Sequence, residues 1–238
     1  MTKILHRADS RGLADHGWLV SRHSFSFADY HNPQRMQFGL LRVLNDDIVQ
    51  PALGFPTHPH ENMEIVSIPL SGSLRHQDSM GNQHVIRTGE VQIMSAGSGL
   101  THSEYNNSAQ EEVNFLQIWV YPKQKNIAPR YGQQLFNRAE RQNRFQLLVS
   151  PAAADETIWI NQDAWFSLIE LDAGATASYQ QQGVGTGLYC LVIEGQLQVD
   201  TTRLERRDGL GLTLSERVPI VAESAAQLLC IEVPLASN

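Results

Sequence analysis

The chain has 238 residues, of which 42% are hydrophobic and 18% charged. The charged share lies below the roughly 25% usual for soluble proteins and the apolar share can build a real core, which excludes wholesale disorder and a disulfide-stapled miniature scaffold. With 18 Lys and Arg against 25 Asp and Glu, the formal charge is −7, the wrong sign for neutralising phosphates along a duplex, so no direct nucleic-acid partner is expected.

The amino terminus places Lys3, Arg7, Asp9 and Arg11 where a secretory signal needs an unbroken apolar run, which predicts no signal peptide. Turn marks then recur at short intervals: Ser71-Gly72, Gly81-Asn82, Thr88-Gly89, Gly97 and Gly99. That rhythm belongs to short antiparallel strands, predicted at residues 40–44, 64–70, 91–94 and 113–120. The last alternates, with Leu116, Ile118 and Val120 on one face. The most apolar stretch, Val113 to Tyr121, is interrupted by Asn114 and Gln117 and has the length of a strand, so no membrane span is expected.

After Tyr121-Pro122, the polar stretch 123–130 with Pro129 reads as a connection between two domains, residues 1–125 and 126–238. Strand-like runs resume at residues 145–149, 157–160, 164–171, 188–193, 210–214 and 228–233, while helical pattern is confined to a short polar piece near 137–143. The predicted class is all-β. Cys190 and Cys230 lie in apolar runs and read as buried core thiols, which suits a reducing cytoplasm. Arg203, Arg206 and Arg207, interrupted by Glu205, read as a solvated loop or strand end. A faint echo links the halves at nearly equal offsets: Leu70-Ser71-Gly72-Ser73-Leu74 with Ile193-Glu194-Gly195-Gln196-Leu197, and Arg87-Thr88-Gly89 with Arg207-Asp208-Gly209. It points to a duplicated barrel.

All 9 histidines lie at or before His102, so imidazole chemistry belongs to the first half. Residues two apart in an extended chain share a face, so His58 pairs with His60, and His102 with Glu104. Facing one another, the pairs would give three imidazoles and one carboxylate. Pro59 points away between the first pair and stiffens the backbone that presents it. Such donors suit one divalent transition metal ion, Fe, Mn, Co, Ni, Cu or Zn, rather than Ca²⁺, and leave one or two positions open for a guest. His76 and His84 flank the Met80-Gly81-Asn82 turn and read as surface groups or as neighbours of the ligands. Trp18, Phe25, Phe27 and Phe55 are core formers that could also wall a pocket, and Asn106 and Gln117 could orient ligands.

These residues also carry a resemblance. Gly54-Phe55-Pro56-Thr57-His58-Pro59-His60, followed by Glu64 and Gly72, resembles the first cupin motif as pirin-family proteins carry it. Gly89, followed by Ser95-Ala96-Gly97-Ser98-Gly99-Leu100-Thr101-His102-Ser103-Glu104, resembles their second. Gly17-Trp18, the His23-to-Tyr30 segment, Leu41 to Asp47 and Gln77 to Asn82 are similar to bacterial pirins too. Ser95 in place of a proline, and the longer spacing between Gly97 and His102, depart from the generic cupin pattern in the way pirins do. The resemblance implies a bicupin, two antiparallel β-barrels packed face to face, with metal only in the amino-terminal one. It implies His58, His60, His102 and Glu104 as the ligands, and Glu104 rather than Glu64 as the carboxylate donor.

For function the resemblance implies a metal-dependent dioxygenase that cleaves a flavonol such as quercetin with dioxygen, releasing carbon monoxide; a metal-bound carboxylate can also take up a proton, so Glu104 is expected to act both as ligand and as general base. The alternatives are a metal- or redox-sensing regulatory binding protein of the pirin type without turnover, animal pirin being a metal-dependent co-regulator, and a metabolite isomerase of the kind many cupins provide. With no heptad and no unusual apolar patch, a monomer is expected.

Overall fold

The structure, a computed structural model, describes residues 2–152, 156–213 and 217–235. Among them the regular structure is strand, apart from the 3-10 turns Ala8–Ser10 and Arg138–Arg141. The first half holds β1 (Lys3–His6), β2 (Gly12–Asp15), β3 (Leu19–His23), β4 (Leu41–Val49), β5 (Gly54–His60), β6 (Glu64–Ser71), β7 (Ser73–Asp78), β8 (Gln83–Arg87), β9 (Glu90–Ser95), β10 (Leu100–Asn106) and β11 (Val113–Val120). The second holds β12 (Arg130–Leu135), β13 (Gln146–Ser150), β14 (Ile158–Trp159), β15 (Trp165–Leu171), β16 (Thr176–Gln180), β17 (Thr186–Glu194), β18 (Leu197–Val199), β19 (Thr202–Leu204), β20 (Gly209–Thr213), β21 (Arg217–Ala222) and β22 (Ala226–Pro234).

These strands build two cupin-type domains of the same design. A seven-stranded sheet, β12-β9-β6-β11-β4-β3-β2, faces a four-stranded sheet, β5-β10-β7-β8; in the second domain β1-β20-β17-β22-β15-β13-β14 faces β16-β21-β18-β19. The two orders correspond strand for strand. Hydrogen bonding does not run from one sheet into the other, so each barrel is a two-sheet jelly roll with open seams. Each large sheet also takes an edge strand from the far side of residue 125: β12 pairs with β9, and β1 pairs with β20.

Alternation along the central strands produces three interiors. Val66, Ile68, Leu116, Ile118 and Val120 point away from the first barrel and meet Phe166, Leu168, Tyr189, Leu191, Ile231 and Val233 from the second, so the largest apolar core lies between the two large sheets. Intervening residues of the second half, among them Leu188, Cys190, Val192, Leu228 and Cys230, fill the second barrel with aliphatic side chains. Both faces of β17 and β22 are therefore buried, and for that reason they read as unbroken apolar runs. The first barrel has only small apolar clusters, one around Leu74 and Phe115 and another around Ile65 and Met94; polar groups occupy the space between.

The echo in the sequence marks real correspondences. Gly72 and Gly195 follow the equivalent strands β6 and β17, and both adopt positive φ, +74° and +84°. Three local expectations need correction. The piece near 137–143 is a single 3-10 turn over Arg138–Arg141, where the Asn137 side chain accepts from the Ala139 amide and no apolar stripe lets a longer helix pack. The strand expected at 157–160 is only Ile158–Trp159. Arg207 is not solvated: it is buried beside Asp46 and Asn114, while Arg203 and Arg206 remain exposed. Leu214, placed in a strand from sequence, lies outside the described residues.

Candidate metal centre

The cluster of imidazoles sits inside the first barrel, on its small sheet. β5 is an edge strand, which tolerates Pro56 and Pro59 because neither amide is needed for a ladder. Its partner β10 places His58 directly opposite His102, and the register then slips so that Glu104 faces Phe55. Close approach at the slip requires glycine at 54: a Cβ there would lie 2.2 Å from the Glu104 carbonyl oxygen. On the other flank of β10, β7 sets Asp78 opposite His102 and His76 opposite Glu104.

His58, His60 and His102 converge, with ring centroids 4.5–4.9 Å apart and one nitrogen from each within 4.8 Å of the others. Glu104 belongs to a second triad with His76 and His102, within the same limit. All four expected residues are thus neighbours, arranged as two groups that share His102. The His58 Nδ1 lies 2.8 Å from the Pro56 carbonyl oxygen, to which it donates, leaving Nε2 with a free lone pair. Neither His102 nitrogen has a hydrogen-bond partner although the residue is 2% exposed.

The chain holds Glu104 from across the barrel. Gln117 Nε2 on β11 donates to Glu104 Oε2 at 2.7 Å. The Ser67 hydroxyl on β6 lies 3.1 Å from Glu104 Oε1 and 3.0 Å from Gln117 Oε1. Burial, followed by the neighbouring His58 and His76, pushes His102 down to about 3. Burial, followed by His102 and His58, pushes His60 down to about 4. Both are neutral at pH 7, the form that donates a lone pair. Asp47, also buried inside this barrel, is pushed up to about 7 by burial; a hydrogen bond from Ser21 opposes this, while Asp46 and Glu104 add to it.

Other expected residues divide. Gln117 orients a candidate ligand, whereas Asn106 donates to the Val49 and Glu111 carbonyls and serves the fold. Phe55 packs edge-on against Trp18, and Phe25 joins the core between the sheets. Phe27 reaches Trp119, whose ring lies 5.0 Å from His60. Sequence reasoning passed over Trp119 because it closes an apolar run, and its alternation with Gln117 was the available signal. Glu64 points the other way, to the seam between domains, where it accepts from Ser95 Oγ and the Asn161 amide. It alternates with Ile65 and Ser67 and so cannot face the histidines. His84 is exposed and stacks on Tyr131, but His76 is fully buried.

A buried imidazole with both nitrogens bare, beside two further imidazoles and a carboxylate, is a donor set lacking an acceptor, and it fits a single transition metal ion. Among the described residues no second such group occurs outside this barrel. An open cleft of about 600 Å³ borders the cluster, lined by Pro59, His60, Ser79, Gly99 and Thr101 among others.

Two jelly rolls with one imidazole and carboxylate cluster that fits a single metal ion define a bicupin with one candidate metal centre. The Pirin profile matches residues 6–120 and the Quercetinase C-terminal cupin domain profile residues 147–233. The chain belongs to the pirin family. It is similar to quercetin 2,3-dioxygenase of Escherichia coli K12, at 39% identity over 97% of this chain and 98% of that one. It is also similar to a pirin-like protein of Caulobacter vibrioides, at 40% identity over 94% and 96%. Among solved structures, the bacterial pirin YhhW of Escherichia coli in complex with nickel(II) superposes with a TM-score of 0.92 at 38% identity, covering 98% of this chain and 99% of that one.

Proposed function

We propose that this chain is a metal-dependent dioxygenase that cleaves a flavonol such as quercetin, with His58, His60, His102 and Glu104 holding one divalent transition ion. The observation that carries this reading is the convergence of those donors around a buried, unpartnered His102. The likeness to a quercetin 2,3-dioxygenase across nearly the whole chain supports the substrate class. When bound, the ion would supply Lewis acidity to the flavonol's 3-hydroxyl oxygen and open positions beside it.

The residues do the rest. Glu104 Oε1 is the base for the 3-hydroxyl proton. The Ser67 hydroxyl has one hydrogen and two acceptors in reach, so it can turn from Glu104 Oε1 to Gln117 Oε1 as that proton arrives. Gln117 Nε2 stays on Oε2 and holds the carboxyl in place. Trp119 packs edge-on against His60, which lines the cleft by which a flat aromatic guest would enter.

In the same proposal residues 1–125 form the metal domain and 126–238 the domain without a histidine site. The protein acts as a cytoplasmic monomer on a flavonol and dioxygen, consistent with its free buried cysteines. The test is aerobic incubation of metal-loaded protein with quercetin, following loss of the flavonol absorbance against free-metal controls. Turnover by the wild type that is lost in Glu104→Gln and His58→Ala is expected. No turnover above those variants with any of the six metals removes the reading.

A further inference from the structure

The stretch 123–130, which the sequence marks as a connection between domains, is tied on both of its sides. Toward the second domain, the Lys123 amide donates to the Asn161 carbonyl at 2.6 Å and Asn161 Nδ2 donates to the Gln124 carbonyl at 2.8 Å. The Lys123 ammonium reaches both Asp163 carboxylate oxygens at 2.8 Å. Farther along, Arg130 donates to the Trp159 carbonyl at 2.7 Å and lies over the Trp159 ring, 4.6 Å from its centroid. Toward the first domain the connection meets Asn62, Gly97 and Ser98, which belong to two loops bordering the cleft beside the histidines.

The loop after β5 carries Glu61, and the loop before β10 carries Ser98 and Gly99; all three line the cleft. Asn62 and Asn126 clasp one another: the Asn126 amide donates to Asn62 Oδ1 at 2.7 Å, and Asn62 Nδ2 donates to Asn126 Oδ1 at 3.1 Å. Both adopt the left-handed region, with φ of +48° and +58°, which a non-glycine residue holds only where its surroundings require it. Next in the chain, the Ile127 carbonyl accepts from the Ser98 amide at 2.9 Å. A Cβ at Gly97 would lie 2.1 Å from that same oxygen, so glycine is needed for the approach. The Asn62 amide donates to the Gly97 carbonyl at 2.9 Å and joins the two loops to each other. Asn126 is exposed and Asn62 only half-buried, so the clasp serves neither hydrophobic core. What it fixes is the border of the cleft.

We propose that Asn126 is a positioning residue for the substrate cleft. Acting through Asn62 and, by its neighbour Ile127, through Ser98, it holds the two bordering loops in one arrangement and couples them to the 161–163 turn of the second domain. The second barrel thus contributes to guest binding although the cleft is lined from the first. The inference rests on reading that cleft as the entry for a flavonol and adds the residue that shapes it.

The test compares metal-loaded, full-length wild type with Asn126→Gly, which keeps the positive φ and removes the side chain, and Asn126→Asp, which keeps the acceptor for Asn62 Nδ2. Steady-state kinetics with quercetin are read together with amide exchange of residues 61–63 and 96–99 by mass spectrometry. In Asn126→Gly, KM should rise about fivefold to tenfold with kcat within about twofold, and those amides should exchange about tenfold faster, the effect of one lost hydrogen bond. Bound metal per chain should not change. Asn126→Asp should return both quantities to within about twofold of the wild type. Gly97→Ala, which must push its loop off the Ile127 carbonyl, should raise KM in the same way. Either KM or exchange within about twofold of the wild type in Asn126→Gly overturns the proposal, as does an Asn126→Asp no better than Asn126→Gly, and the flavonol reading stands in each case. Should Asn126→Gly not fold, an unchanged KM in Gly97→Ala overturns it. A wild type without turnover fails the flavonol reading first and takes this inference with it.

Discussion

The two barrels share one strand order and opposite interiors. Topologically, β10 of the first barrel corresponds to β21 of the second, and β5 to β16. Where the first carries His102 and Glu104 on β10 and His58 and His60 on β5, the second buries Val218 and Ile220 on β21 against Tyr179 on β16. The second is a solid aliphatic core, stabilised by burial. The first gives up much of that burial to keep imidazoles and carboxylates inside, and recovers stability from the apolar seam between the large sheets. One jelly roll therefore supports the other, which frees its interior for chemistry.

The largest expected effect tests that division directly. His58→Ala or His102→Ala removes a donor and should abolish tight metal uptake, with loss of at least about 100-fold in affinity. In the wild type a saturating ion at 1,000 times its Kd should stabilise the fold by about 4 kcal/mol. Calorimetry with and without metal should show a rise in Tm for the wild type and none for either variant. A wild type whose Tm ignores every metal would mean that the polar interior exists for something other than an ion.

The complementary cut is made in the solid barrel. Leu228 is fully buried among Cys190, Val192 and Ile220, so Leu228→Ala should cost about 2–5 kcal/mol by denaturant unfolding. Metal affinity should stay within twofold of the wild type. A large change in affinity would show that the barrels are coupled more tightly than a support and its load.

How much of this was legible in the sequence follows from the same contrast. Strands with both faces buried, such as β17 and β22, announce themselves as apolar runs, and the seam-facing residues of β11 appear as clean alternation. The strands of the small sheets do not, because β5, β7 and β10 spend their inward positions on His, Asp and Glu. Their candidate ligands were nevertheless readable, since the period of two that hides them as strands aligns His58 with His60 and His102 with Glu104. The burial of His76 was not. Its depth depends on which way the β7–β8 turn folds Asp78 back onto it, a pairing made two residues away and across a turn. The exchange of β1 and β12 was equally invisible, as nothing in four or six residues says which sheet they extend.

A smaller effect probes the seam. Glu64 is fully buried there, and burial raises its carboxyl to about 7 from 4.5, more strongly than the Ser95, Asn161 and Arg130 contributions lower it. The folded state keeps a proton that the unfolded state releases above about 4.5, so this residue's contribution to stability falls as pH rises from 4.5 through 7 and levels off beyond. The limit is about 3 kcal/mol. Glu64→Gln cannot titrate, so its stability relative to the wild type should climb across that window in urea unfolding at successive pH values. A difference that does not vary with pH would show Glu64 ionised in the folded protein.

The smallest effect separates two arginines that the internal echo pairs. Arg87 precedes β9 and Arg207 precedes β20, equivalent strands in the two large sheets. Arg87 is 66% exposed and stands 4.0 Å from Glu90, so Arg87→Ala should change stability by no more than about 0.5 kcal/mol. Arg207 is 7% exposed, 3.5 Å from Asp46, and donates to Asn114 across the seam. Its loss leaves Asp46 to Arg11 and the Asn114 side-chain amide and should cost about 1–3 kcal/mol. The same position in the duplicated fold thus became solvated in one barrel and a tie between barrels in the other. Equal costs for the two substitutions would place the strength of the seam in its apolar contacts alone.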